Sequence, residues 1–404
     1  MCLTMPTESI SLEETAYSDQ LTTQWNPSLW IGKGMSYKHV PALVKQAFAR
    51  FISVPADIQS LIPGDSLTIH KLLTYDLPNS NGLSLPLEFS RDTPDIIKID
   101  DIITLTVPAY SVQRQLDDLL PQHWLDGYQS LCSHHTGVKY PLWILCYFNL
   151  ICPACEQQLK WFEAESWLSG AEAIDEHGLA DDIDDLLQFL YWRGRFAKTK
   201  LCVDELYDIL GNNWLTSSIL DAIVLQIETR VHSHPELGYV SIANTIFSTS
   251  IDTKAWITGS SGTKAFMQNY ADRIHKRTCT QLLFPYYSPH SHFAACRINI
   301  SSHQIQYGDS LNRSYPKKLF DNILAWLHYA GEDTSIYSVV DNLPCAKQDD
   351  SFSCAIIACN TIAHNVLTEP LWRSEMKWQD RMQIFLQLTS DVDDLVSKFH
   401  CSTS

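Results

Sequence analysis

The chain has 404 residues, 45% hydrophobic and 11% aromatic, enough for two or three domains whose cores need neither metal nor disulfide support. A formal net charge of −17 argues against sequence-independent nucleic-acid binding, which requires a basic face. The most apolar stretch, residues 140–151, is too short to span a membrane and runs into Pro153, so no membrane association is expected.

Met1-Cys2-Leu3-Thr4-Met5-Pro6 has neither the basic nor the apolar region of a secretory leader, and the twelve cysteines follow no regular spacing. The expectation is an intracellular protein, nuclear or cytoplasmic, with free thiols. Residues 1–90 are rich in Ser, Thr, Pro and Leu, and Pro78-Asn79-Ser80-Asn81-Gly82 predicts a loop. Residues 95–107, where Ile96, Ile97, Ile99, Ile102 and Ile103 mix with acids, predict short extended segments. A helical pattern follows over 111–120. Cys152-Pro153-Ala154-Cys155, with Cys146, His134 and His135 upstream, is at most half a zinc site; no second pair follows at finger spacing, so these read as structural thiols.

Residues 163–185 carry nine acids and no Lys or Arg, and Arg193, Arg195, Lys198 and Lys200 come directly after. That charge switch predicts a domain boundary. The expectation is a mixed, largely helical N-terminal region over 1–195, of no legible function, and a second domain over 196–404.

In the second half, helices are predicted over 204–210, 217–229, 263–276, 316–329 and 354–367. Strands are predicted over 239–247, 293–300, 304–308 and 337–340. The two central strands flank Ser301-Ser302-His303, and a hairpin turning there puts residue 292 opposite roughly 309–311. His292 and Asp309 are then neighbours, placed for a carboxylate to hold an imidazole tautomer.

Cys354 opens the helix 354–367, where unpaired N–H groups and the helix dipole favour a thiolate. Ile356, Cys359, Ala363 and Val366 follow at helical spacing and predict its buried face. Gln348, six residues earlier, can bring an amide donor to an oxyanion beside the thiol. Taken singly, a Cys at a helix start or a His before a strand is most often structural. Together the four supply a nucleophile, Cys354; a base, His292; an orienting group, Asp309; and an oxyanion donor, Gln348.

At these residues the chain resembles the ubiquitin-like-protein (SUMO) proteases, cysteine proteases of the adenain clan. The resemblance rests on His292-Phe293, on Tyr307-Gly308-Asp309-Ser310-Leu311, and on Gln348 with five residues between it and Cys354. Asn213-Trp214-Leu215-Thr216 resembles the family's Trp-bearing helix start, and the likeness extends over about residues 200–385. It implies an α+β, papain-like (adenain-type) fold in the C-terminal half. It also implies cleavage after the Gly-Gly tail of a ubiquitin-like modifier, free or conjugated, with Trp214 and Phe293 lining the slot and no cofactor. Oligomeric state stays open.

The chain departs from the family at three places. Phe293 stands for the usual Trp, Ser217 for an acid that contacts the modifier, and Ser353-Cys354-Ala355 for Asp-Cys-Gly. The first two imply a Gly-Gly-tail enzyme not tuned to SUMO. Two rivals remain: a decayed, non-catalytic domain that only docks a ubiquitin-like protein, and a protease for one specific polyprotein.

Overall fold

The structure, a computed structural model, describes residues 29–78, 87–103, 105–172, 178–288, 291–340, 343–390 and 395–397. The expected leader-free start, residues 79–82 of the expected loop, and Asp175 and Glu176 of the acidic run lie outside these. The chain divides into two compact units, residues 1–63 with 75–156, and residues 64–74 with 157–404.

The first unit holds helices α1 (Ala42–Phe51) and α2 (Tyr110–Leu125), and the start of α3 (Trp143–Glu172). Its antiparallel sheet joins β1 (Leu87–Ser90), β2 (Ser130–Ser133) and β3 (Lys139–Pro141) in that order. The core gathers Val44, Phe48, Leu120, Trp124, Leu131 and Phe148. One expectation fails here. Residues 99–103, expected to be extended, form a short helix, with Asp100 and Asp101 in the first turn where the dipole favours acids. Helix α3 runs thirty residues and carries Pro153 inside it. Ile151, Cys152, Ala154 and Cys155 are all buried around the proline, and that burial offsets the missing backbone hydrogen bond. Among the described residues no helix is long and apolar enough to cross a membrane, and no cluster of His, Cys, Asp or Glu could hold a metal. Cys146, Cys152 and Cys155 are free thiols.

The boundary expected at 195/196 falls inside the second unit, within strand β4 (Gly194–Phe196), which pairs antiparallel with β10 (Leu395–Ser397). Trp161 is fully buried edge-on to Tyr207 and Phe385, and Trp167 stacks flat on Trp378 at 4.6 Å. Helix α4 (Leu179–Leu187) buries Ala180, Ile183 and Leu187 and turns its acids outward, so the acidic run there is the polar face of an amphipathic helix. Residues 64–74 join this unit through Ile69 N–H to Leu190 O (2.9 Å), Trp192 N–H to Leu67 O (3.0 Å) and an Arg193–Asp65 ion pair.

The main sheet of this unit has strand order β5 (Val240–Ile242), β6 (Gln281–Ser288), β7 (His292–Asn299), β8 (Gln304–Gly308) and β9 (Ser338–Val340). The outer pairs are parallel and the inner pairs antiparallel. Helices α6 (Thr245–Thr253), α7 (Ser261–His275) and α8 (Lys317–Tyr329) build one core with Phe284, Ala294, Cys296, Ile298, Ile305 and Tyr307. Phe293 and Ala295, alternate residues of β7, are buried outside that cluster, so both faces of β7 are covered. Helix α9 (Cys354–Leu367) packs on β6, β7 and helix α5 (Ser217–His232). The last helix, α10 (Lys377–Thr389), was not legible in the sequence. Nor was β6: Pro285 argues against a strand, yet it lies beyond Leu283, where the β5 pairing ends, and its missing N–H costs no ladder bond on that side. The segment expected as one strand over 239–247 turns instead into α6 at Thr245, whose N–H and hydroxyl both bind Asp221. The fold is α+β.

Candidate active site

Five antiparallel pairs join β7 to β8, from Asn299–Gln304 to Ala295–Gly308. Continued one turn of the ladder, that register puts residue 292 opposite 311, within the expected range. Gly308 has no room for a side chain: a Cβ there would sit 3.0 Å from Leu343 O and 3.2 Å from Cys345 Cβ. The segment that leads toward Gln348 thus crosses directly over the end of β8.

His292 Nε2–H donates to Asp309 Oδ1 at 3.0 Å, and both side chains are buried. Tyr307 hydroxyl donates to Asp309 Oδ2 (3.1 Å) and Leu311 N–H to Oδ1 (2.7 Å). Burial acts to raise the Asp309 pKa, but these donors overcome it and hold the carboxyl below its usual range. Burial acts to lower the His292 pKa; hydrogen bonds and charge from Asp309 and Cys354 outweigh it and push the imidazole up to about 9. With Nε2 committed to Asp309, Nδ1 is the ring atom left for proton transfer. Cys354 opens the helix that packs on β7, the strand that His292 begins, and its thiol contributes to the same rise in the imidazole pKa.

Cys354 is the first residue of α9 and is buried. The helix start is buried on every side, Cys354 through Cys359, and not only on the expected stripe; Val366 is half-buried. Ser353 stands at the N-cap but makes no side-chain cap, so the helix keeps the positive pole of its unpaired N–H groups beside the thiol.

The fourth residue, Gln348, is near but aimed elsewhere. Its N–H donates to Ser310 O (2.9 Å) and its Oε1 accepts from Ser310 Oγ (2.9 Å), which ties it to the residue after Asp309. Its Nε2 donates to Asp350 O (2.8 Å) and to Asp350 Oδ1 (3.2 Å). The amide expected to face an oxyanion instead organises the loop before Cys354.

Trp214 is exposed, and its Nε1–H donates to Ser351 O, three residues before Cys354. Its indole therefore stands beside the loop that leads into Cys354. Phe293 is buried instead, against the half-exposed ring of Tyr287 opposite it on β6, with centroids 4.9 Å apart. Ser217 is exposed at the start of α5.

The chain is similar to solved SUMO-protease structures. One is SUMO protease Ulp1 with its catalytic cysteine oxidised to a sulfonic acid: 19% identity, 52% of this chain and 96% of that one, TM-score 0.43. A second is the C-terminal Ulp1 protease domain in complex with Smt3, the yeast orthologue of SUMO: 18% identity, 54% and 97% covered, TM-score 0.43. The Xanthomonas campestris effector XopD bound to ubiquitin gives 18% identity, 42% and 90% covered, TM-score 0.31. No protein-family model and no curated protein sequence matches the chain.

Sequence reasoning passed over three residues of this site. Tyr287 lies on the strand that was not foreseen. Asp350 accepts from Phe352 N–H (3.0 Å), Ser353 N–H (2.8 Å), Ser353 Oγ (2.6 Å) and Gln348 Nε2. Burial acts to raise its pKa, and these donors bring it down. Its signal was present: an Asp two and three residues before the N–H groups it binds is an Asx-turn pattern. Arg381, on the unforeseen α10, is buried beneath the same loop and donates to four backbone carbonyls, with no sequence signal to mark it.

Proposed function

We propose that the second unit is a cysteine peptidase domain of the adenain type that cleaves the amide or isopeptide bond after the Gly-Gly tail of a ubiquitin-like modifier. The observation that carries this reading is the His292–Asp309 hydrogen bond at 3.0 Å, with Cys354 acting on the same imidazole from the start of a buried helix. Isolated buried thiols in this chain, such as Cys296 and Cys359, have no such partner chemistry and are pushed far up by burial.

In the proposed cycle the Cys354 thiolate attacks the carbonyl carbon of the terminal glycine. The carbonyl π electrons move to oxygen, and the backbone N–H groups at the start of α9 donate to that oxyanion. Imidazolium His292 gives its Nδ1 proton to the leaving amine as the C–N bond breaks, and the acyl-enzyme remains. Neutral His292 then takes a proton from water, which attacks the thioester and releases the carboxylate and Cys354. Asp309 holds the ring throughout. In its proposed role Gln348 adds a second oxyanion donor once its amide turns away from Asp350; in the resting state it serves the loop. Trp214 offers the exposed flat wall for a tail without side chains, and Phe293, backed by Tyr287, the other.

The test is incubation with a panel of ubiquitin-like modifiers bearing a C-terminal vinyl sulfone, read by intact mass. One adduct on the native chain and none on Cys354→Ala, with the variant still folded, is the expected outcome. Turnover retained in Cys354→Ala would overturn the assignment. Modifier binding without any adduct would favour a docking domain, and cleavage of a polyprotein junction with no modifier reactivity would favour the other rival.

A further inference from the structure

Arg381 has the features of a residue kept for geometry. It is about 1% exposed, although a buried guanidinium is costly to desolvate. Burial lowers its pKa to about 10, against the charges of Asp350, Asp208 and Cys354, so it stays cationic at neutral pH. Its Nη1 donates to Asp208 O (3.0 Å) and Ile209 O (3.1 Å), and its Nη2 to Asn213 O (2.9 Å) and Phe352 O (3.5 Å). The guanidinium also lies 5.1 Å from the centre of the Phe352 ring.

These acceptors belong to two segments remote in sequence. Residues 208–213 lead into Trp214, and Phe352 comes two residues before Cys354. A second link joins the same segments, the Trp214 indole N–H to Ser351 O. The planar fork of an arginine suits this divergent set of carbonyls, whereas a lysine ammonium has no such fork.

We propose that Arg381 is a positioning residue that sets the Trp214 wall of the tail slot against the Cys354 loop, so that productive seating of a tail depends on it through Trp214. This rests on the reading of Cys354 as nucleophile and Trp214 as slot wall. Arg381 touches no substrate in this scheme. The inference separates two properties that a general structural role would couple: reactivity of the thiol itself, and reactivity toward a tail.

The experiment uses the full chain with Arg381→Lys, Trp214→Phe and the double variant. Two rates are measured at Cys354, alkylation by iodoacetamide and conjugate addition of the thiolate to a Gly-Gly-vinyl-sulfone modifier probe. Arg381→Lys is expected to leave the iodoacetamide rate within about twofold while the tail-probe rate falls at least about tenfold, since small misplacement of reacting groups is costly. The double variant is expected to be no slower with the tail probe than Trp214→Phe alone, because both changes break one linkage. Additive losses, or equal losses with both reagents, would overturn the proposal. If iodoacetamide alkylates Cys354 but the native chain ignores every tail probe, the proposed function fails first, and the distinction is visible in that control. If Arg381→Lys does not fold, native-state hydrogen exchange on the unaltered chain decides: the amides of 213–215 and of 351–353 must open as one unit, and independent opening rejects the linkage.

Discussion

In the proposed cycle His292 carries the proton that the leaving amine needs, and the environment sets the pH at which it is present. Hydrogen bonds and charge from Asp309 and Cys354, working against burial, keep the imidazolium up to about pH 9. Below that value the acid is charged, and above it the proton is lost, so kcat/KM is expected to fall on an alkaline limb near that pH. Asp309→Asn removes the main raising influence. Its alkaline limb is expected to move to lower pH and its kcat to drop by about 10²-fold or more, as loss of an acid–base partner does. A pH–rate profile of the two proteins checks both; an unmoved limb would mean that Asp309 does not hold the ring. In the proposed function, substrate choice is set by neighbours of the same site. Ser217 offers no carboxylate to a basic modifier surface, and an exposed ion pair is worth only about 0.2–1 kcal/mol. Ser217→Asp and Phe293→Trp are therefore expected to shift kcat/KM among modifiers by a few-fold toward SUMO. A strong native preference for SUMO that neither substitution alters would refute that reading.

Helix α9 brings Cys354 to the site, and the loop before it decides where its first turn begins. Asp350 gathers four donors from residues 348–353, which holds the loop in one conformation without capping the helix. Because the acceptor is a carboxylate, hydrogen bonds to it are worth about 1.5–3 kcal/mol each at most. Asp350→Ala is expected to lower stability by about that amount or more, and to slow Cys354 alkylation, while Asp350→Asn keeps part of both. Denaturant unfolding together with iodoacetamide kinetics measures the pair of effects. Unchanged stability in Asp350→Ala would show that water replaces the carboxylate. The strand hairpin is the other decisive element. Its Ser301–His303 turn, with His303 at φ +53°, sets the register that puts His292 and Asp309 on one face.

On the scale of the molecule, the second unit is not a simple C-terminal segment. Residues 64–74 and 157–195 supply part of it, with Trp161 and Trp192 both nearly inaccessible to solvent. A fragment of residues 196–404 lacks both indoles and the Ile69 and Leu190 pairing. It is expected to unfold at lower temperature than a fragment of 64–404, or to precipitate, because losing a buried Trp costs about 3–5 kcal/mol. Thermal unfolding of the two fragments checks this. Equal stability would restore the charge switch near residue 195 as the working boundary.

The sequence by itself determined the order His292, Asp309, Gln348, Cys354, the hairpin that pairs the first two, and the helix that starts at the fourth. These are local properties: hairpin register follows from turn length, and a helix start follows from the residues around it. Tertiary structure decided the rest. Strand β6 became a neighbour of the site despite Pro285, because burial between β5 and β7 outweighs a weak local propensity. Gln348 turned its amide to Asp350, because the fold of the loop put a backbone carbonyl and a carboxylate within its reach. Arg381 reached the loop before Cys354 from a helix about thirty residues away, and the charge switch near Arg193 falls within one compact unit. Such contacts depend on which surfaces meet in space, and spacing along a chain carries no record of that.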